Sequence, residues 1–488
     1  LFKSIIMNAF QKTGEKMTNY RWTICIMMFL ALTVNYLDRQ VLSLTWDEFI
    51  KPEFHWNEIN YGYVTATFSI VYAIGMLFAG RAVDWLGTKA GFMWSIGIWS
   101  AGACLHALCG VATELCVGLE DKTQLIAATG DMAVVIATVS MYFFLAARCV
   151  LAIGEAGYFP AAVKVTAEYF PKRDRAFATS IFNAGASIGA LIAPLTIPLL
   201  AKRWGWEMAF VIIGVMGFVW MGFWVFMYKP PRESRFVNDA ELEYIEQDKR
   251  LEAGMMAEQP ASGGEKKMPL WQCFRYRQTW AFVLGKFCTD GVWWFFLFWT
   301  PSYLNTQFGI KTSEGLGMAL IFTLYAITML SLWGGKLPTI FINRTGSNPY
   351  AARMRAMLIF AFVPLVVLFA QPLGTLSPWY PVVLIGLGCA AHQSWSANIY
   401  TTVSDMFPKK AIATVTGIGG MAGGVSSMLM QTCAGNLFVY ADNVQLEFMG
   451  FTGKPAGYFI IFCICSVAYL VGWTIMKTLV PKYKLITD

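Results

Sequence analysis

Apolar residues fall in long runs along this chain, parted by short polar stretches, and the runs share a common length. Twelve of them lie near 22–44, 60–83, 91–112, 134–159, 176–200, 208–228, 279–302, 316–341, 354–371, 379–404, 412–436 and 457–477. A helix needs about 20 such residues to cross a hydrocarbon core of about 30 Å. The pattern predicts an all-α polytopic membrane protein with twelve transmembrane helices. Residues 1–16, "LFKSIIMNAFQKTGEK", read as a short amphipathic lead-in; they lack the apolar core and small-residue cleavage site of a secretory signal.

One polar stretch is much longer than the rest. Residues 229–278 carry nine Lys and Arg, an acidic amphipathic helix expected over Asp239 to Leu251, and a Pro/Ser/Gly-rich linker. Six runs precede it and six follow, which predicts a six-helix bundle over 1–228, a connector over 229–278 and a second bundle over 279–488. The halves share a motif. Phe170-Pro171-Lys172-Arg173 after the fourth run matches Phe407-Pro408-Lys409-Lys410 after the tenth. Each marks a basic, Pro-containing turn into a Gly/Ala-rich helix able to pack closely. The same motif in the same orientation, half a chain apart, predicts parallel repeats about an axis along the membrane normal.

Composition sharpens this picture and excludes its rival. Hydrophobic residues make up 57% of the 488 and charged ones only 14%, against roughly 25% charged in soluble proteins; a soluble domain could not clothe itself from this chain. Of the 37 Lys and Arg, 28 fall on the side of the connector, 6 on the other side and 3 within runs. By the positive-inside rule both termini and the connector are cytoplasmic. The net charge of +7 restates that bias and gives no reason to expect a nucleic-acid partner. The 11 Cys show no ligand spacing, and neither metal nor cofactor is expected.

The three basic residues within runs are Arg39, Arg148 and Lys286, and the acids Asp38, Glu155 and Asp290 keep them company. A charge at the bilayer centre costs about 2.5–3.5 kcal/mol or more, so such residues face a bundle interior or an aqueous cavity. Asp38 and Arg39 are adjacent, about 100° apart on a helix, so each must look to another helix. Arg148 and Glu155 share one face, separated by about 10 Å of rise. Lys286 and Asp290 stand at i,i+4, either as part of a site or as a neutralised pair with a snorkelling lysine. The tenth run adds His392, Gln393 and Asn398; His392 reads equally as a hydrogen-bonded packing residue.

Several segments carry a family likeness. "GRAVDWLGTK" (Gly80, Asp84, Gly87, Lys89) resembles the signature loop of the major facilitator superfamily, whose gating role the likeness carries to those four residues. "NYLDRQVLSL", "RCVLAIGEAGYFPAAVKVTAEYFPKRDRA", "KFCTDGVWWFFLFWTPSYL" and "AHQSWSANIYTTVSDMFPKK" resemble that superfamily's anion:cation symporter branch, in particular bacterial hexuronate transporters. The likeness spans nearly the whole chain, with four motifs in order. It implies the major facilitator fold and proton-coupled uptake of a sugar acid across the inner membrane by a functional monomer. Asp38 and Glu155 then resemble the proton-binding acids, Arg39 and Arg148 the carboxylate-binding cations, and Tyr36 and Tyr72 residues of the substrate cavity. Lys286 falls where galactonate transporters carry Gln and hexuronate transporters a basic residue. Gln393, Asn398 and His392 are further substrate candidates. Two features depart from the family: a long loop over about 113–132, and a Gly-rich eleventh run, "GIGGMAGGVSSM".

The expectation is a symporter for glucuronate or galacturonate. Its alternatives are carriers of an aldonate such as galactonate, or of glucarate, and more distantly an organophosphate antiporter, which needs bases but has no use for Asp38 and Glu155. A membrane enzyme would need a nucleophile–base set or metal ligands, and His55, His106 and His392 are spread too widely to supply one. A transporter-like sensor would want a larger soluble output domain than the connector. The basic bias predicts that a cysteine introduced within 255–265 is labelled by an impermeant maleimide only in inside-out vesicles; labelling of right-side-out cells would overturn the orientation.

Overall fold

The computed structural model describes residues 16–256, 270–334 and 336–486; the N-terminal lead-in up to residue 15 and the linker at 257–269 lie outside the described residues. The long helices are α1 (Tyr20–Thr45), α2 (Glu58–Leu86), α3 (Thr88–Ala107), α4 (Asp131–Ala156), α5 (Lys172–Trp204) and α6 (Trp206–Met227). After a connector helix (Asp239–Met256) come α7 (Arg277–Phe308), α8 (Gly315–Thr328), α9 (Pro349–Phe362), α10 (Trp379–Met406), α11 (Lys409–Asn443) and α12 (Lys454–Leu479). Helix covers each of the twelve expected segments. Among the described residues eight helical spans are long and apolar enough to cross a bilayer, nine if α3 and the following Cys109–Val117 helix count together.

The departures from straight spans have local causes. α3 bends by 49° into Cys109–Val117. The eighth segment, expected as one span over 316–341, is three pieces: α8, Ser331–Gly334 and Leu337–Thr345, the last starting at Pro338. α9 passes at Pro364 into a 3-10 stretch, Val363–Phe369; Pro lacks the N–H that an α-helical ladder requires. At the far end of α1, Trp46–Ile50 forms a π-turn, a local widening that often marks a functional position.

Without a hydrophobic drive between helices in lipid, close approach rests on small residues. A Cβ built on Gly154 of α4 would lie 2.2 Å from the backbone nitrogen of Trp99 in α3. Gly185 and Gly189 of α5 sit equally close to the carbonyls of Phe29 and Thr33 in α1. The Gly-rich α11 does the same twice over: Gly424 and Gly435 meet Ala73 and the Glu58 carbonyl of α2, and Gly423 meets the Asp290 carboxylate of α7. The composition that set this run apart is thus the means by which one helix touches two others.

The connector helix is fastened to the first six helices. Glu241 accepts hydrogen bonds from the Tyr20 and Arg21 amides and pairs with Arg21 at 3.0 Å, putting an anion at the start of α1 where the helix dipole favours one. At the opposite end the two sets of six helices meet. Glu48 accepts from the Ser313 amide at 3.1 Å and from the Ser313 and Thr312 hydroxyls. Asp47 accepts from Asn305 at 2.8 Å, and Glu58 takes Lys51 and Lys454, each at 2.9 Å. Ser69 and Ser427 bond between α2 and α11. The bundle is latched at the end away from the connector.

The long loop over 113–132 folds onto that same end. Asp121 caps a short helix, Lys122–Ala127, whose Lys122 pairs with Glu53 and Glu207, both at 2.6 Å. The segment is a strap across the first six helices. The Gly154 contact gives the test of the packing: Gly154→Val should cost about 1–3 kcal/mol through overpacking. It should lower the melting temperature of the purified protein by several degrees; an unchanged melt would mean that α3 and α4 do not touch there.

Candidate functional site

Two helices of the first half bring the predicted charges together. α1 supplies Asp38 and Arg39, and α4 supplies Arg148 and Glu155; all four are at least 97% buried. Arg39 Nε donates to Glu155 Oε2 at 2.5 Å. Glu155 does not reach Arg148 on its own helix, since two turns of rise separate them, and Arg39 meets it from the side. Asp38 and Arg148 are left over. Neither Asp38 oxygen accepts a hydrogen bond from a described protein group, and Nε and Nη2 of Arg148 and Oε1 of Glu155 are likewise buried without one. Their charges nonetheless act on one another. Four ionisable groups thus share one buried space with one hydrogen bond among them.

An aromatic cage encloses Arg39. Its guanidinium carbon lies 5.1 Å from the ring centroid of Tyr36, 4.8 Å from Tyr72, 5.8 Å from Phe68 and 5.4 Å from Trp294. Phe68 also faces Arg148 at 5.6 Å. Aromatic faces stabilise a desolvated cation by about 2 kcal/mol or more. Tyr36 and Tyr72 were expected from the sequence; Phe68 and Trp294 were not, since an aromatic in an apolar run carries no mark of its neighbours.

The second half holds the other pair. Lys286 is 98% buried and reaches Asp290 at 2.7 Å, with Tyr400 of α10 beneath its ammonium at 4.2 Å. The lysine does not snorkel. His392 stacks on Trp293 (ring centroids 5.4 Å, interplanar angle 12°) and its Nδ1 bonds the Tyr469 hydroxyl at 2.8 Å, which sets it in a packed aromatic cluster. Asn398 donates to the Ser394 carbonyl of its own helix at 2.8 Å. Gln393 is half-buried beside them.

The signature turn lies at the connector end, apart from these charges. Gly87 has φ +82° and begins α3, a conformation only glycine adopts freely. Lys89 donates to the Val225 carbonyl at the end of α6 at 2.7 Å, and Thr88 to Glu168. Gly80 has open space around it, and the side chain of Asp84 lies outside the described residues.

The model of the Major Facilitator Superfamily matches residues 28–430, which takes in the cluster, the signature turn and both halves. The chain belongs to the major facilitator superfamily. It is similar to the hexuronate transporter of Escherichia coli K12, 28% identical over 95% of each chain. It is also similar to the probable galactarate/D-glucarate transporter of the same strain, 26% identical over 93% of this chain and 96% of that one. Among solved structures, a bacterial homologue of the human lysosomal transporter Spinster, inward-facing and occupied, superposes with a TM-score of 0.69 at 17% identity, covering 97% and 100% of the two chains. The fold is therefore the major facilitator fold of a polytopic membrane protein.

Sequence reasoning passed over the latch residues Asp47, Glu48, Glu58 and Lys454. They lie at run ends, where a charge needs no explanation. The cluster's energetics follow from its geometry. Removing one partner of a buried ion pair costs about 3–5 kcal/mol, because the other is left uncompensated. Glu155→Ala should therefore lower the melting temperature far more than the double variant Arg39→Met/Glu155→Leu. Equal melts for the two would show that the pair is not buried.

Proposed function

We propose that this superfamily member is a proton-coupled symporter of a sugar acid, a hexuronate such as glucuronate or galacturonate. The observation that carries the reading is the Arg39–Glu155 hydrogen bond with Asp38 and Arg148 beside it: two cations able to take a carboxylate, each next to an acid whose charge depends on a proton. Ionised Glu155 holds Arg39. Protonation neutralises Glu155 and releases the guanidinium, and the substrate carboxylate takes its place. A guanidinium can grip a carboxylate through two parallel hydrogen bonds. Asp38 acts on Arg148 through its charge alone, with no bond between them, and its protonation leaves that guanidinium less countered. Proton and substrate thereby favour the same state, which is what coupling requires.

In this reading Tyr36 and Tyr72 offer hydroxyls to the sugar and Lys286 fixes its far end. Gln393 and Asn398 have smaller parts, and His392 the least, given its packing. Gly80, Asp84, Gly87 and Lys89 form the turn that the two halves, 1–228 and 279–488, move about, joined by the connector at 229–278. In this reading the carrier is a monomer in the inner membrane with both termini cytoplasmic, and the latch lies at its external end. Similarity to a hexuronate transporter and to a probable aldarate transporter supports the substrate class. An aldonate or glucarate carrier is the alternative within it.

Two experiments test the reading. Membrane vesicles should accumulate labelled glucuronate when a pH gradient is imposed; a counterflow panel of galacturonate, galactonate, glucarate and an organophosphate would rank the substrates. Uptake indifferent to the gradient would remove the proton from the mechanism. Glu155→Gln mimics the protonated acid permanently. Glucuronate exchange should persist in that variant and uphill accumulation should fall to background. Accumulation at the wild-type level driven by a pH gradient alone would remove Glu155 from the coupling role.

A further inference from the structure

α7 presents Lys286, Asp290 and Trp294 at i, i+4 and i+8, one face of the helix. Trp294 lies over Arg39, so this face looks toward the same space as the first-half charges. Asp290 is the more open of its pair: its side chain is 15% exposed against 2% for Lys286. Its Oδ2 is taken by Lys286 at 2.7 Å and is backed by Gly423 of α11, where a Cβ would come within 2.1 Å. The groups that face it are Lys286, Tyr400 and His392 of α10, and Tyr469 of α12. α11 brings only Gly423, which carries no charge. Tyr400 in turn lies within electrostatic reach of Tyr36 of the Arg39 cage, and Trp294 over Arg39 joins α7 to that cage, so the two charge systems are neighbours across the two halves.

This arrangement repeats that of Arg39 and Glu155. A buried cation is held by one acid, and here the acid is the more exposed of the two. We propose that Asp290 is a second proton-binding acid of the transport cycle, occupying Lys286 in the empty carrier and releasing it to the substrate when protonated. The proposal rests on the symport reading above. The step balances simply: a proton from one side forms the O–H bond of Asp290, the Lys286–Asp290 ion pair breaks, and a substrate oxygen takes the ammonium. On the other side substrate leaves, the proton passes to water, and the pair closes again. While the pair stays closed, the charge of Lys286 and one of its three N–H donors are committed to a neighbour one turn away on its own helix.

The experiment is proton counting in proteoliposomes holding a pH-sensitive dye, with labelled glucuronate measured in parallel. Asp290→Asn should move about one proton fewer per glucuronate than the wild type, and its half-saturating glucuronate concentration in exchange should vary less with pH. Asp290→Glu should restore both. A wild-type proton ratio and pH dependence in Asp290→Asn would overturn the proposal. If that variant fails to reach the membrane, Lys286→Gln/Asp290→Asn leaves no unpaired charge and answers the same question: one proton fewer supports the proposal, and an unchanged ratio overturns it. A wild type that moves glucuronate without protons would bring down the symport reading and this proposal together. A normal wild type with an indifferent Asp290 brings down this proposal alone.

Discussion

Charge neutrality in a space without water is the constraint on which the rest of this molecule depends. Arg39, Arg148, Asp38 and Glu155 are all nearly sealed from solvent, and an uncompensated charge there is expensive. The set is tolerable because two cations meet two acids. Yet only Arg39 and Glu155 are joined directly, so the cluster is neutral without being satisfied. A purely structural ion pair would be expected to close all its hydrogen bonds, since a half-satisfied polar network is worse than an apolar core. Buried groups left without partners among the described protein groups, Asp38 and Arg148 foremost, set this cluster apart from a closed structural ion pair.

Such a cluster can exist only if the helices around it stand close and hold still, and glycine makes that possible. Gly154 lies one residue before Glu155 and lets α4 touch the backbone of α3; the close approach and the acid are consecutive in the chain. α11 carries the principle between the halves. Its Gly424 rests on α2, its neighbour Gly423 rests on Asp290, and Gly435 rests near Glu58 in the latch. A shift of α2 against α11 when the latch opens is therefore felt within one residue of the contact that backs Asp290. Packed interfaces of this kind pass displacement along because they have little slack.

Much of this was readable in the sequence, for reasons that differ by feature. Helix positions were legible because a bilayer imposes a length on every apolar run. The intramembrane charges stood out because their cost makes them rare. Their pairing was not legible: helical periodicity puts Glu155 and Arg148 on one face, but it says nothing of how α1 leans on α4, and that decided for Arg39. Lys286 and Asp290 were the easier pair, since i,i+4 residues meet on any helix. The breaks in the eighth and ninth segments were half-visible, as Pro338 and Pro364 were in view but a proline within a membrane helix need not break it, as Pro301 in α7 shows. The latch left no mark at all. Asp47, Glu48 and Lys454 sit where loops are expected to be charged, and only three dimensions set Glu48 against Ser313.

α7 stands between the two charge systems. It carries Lys286 and Asp290, and one turn on it lays Trp294 over the guanidinium that Glu155 holds. The strength of a cation–aromatic contact depends on how bare the cation is. An Arg39 paired with a carboxylate is neutralised and one that is free carries its full charge, so Trp294 meets a different field in the two. Because the ring is fixed to α7 while Arg39 is fixed to α1, any change in their attraction acts directly on the separation of the two halves. A change in the charge balance around Arg39 therefore needs no relay through the bundle to act between α1 and α7; the guanidinium already lies under a side chain of α7.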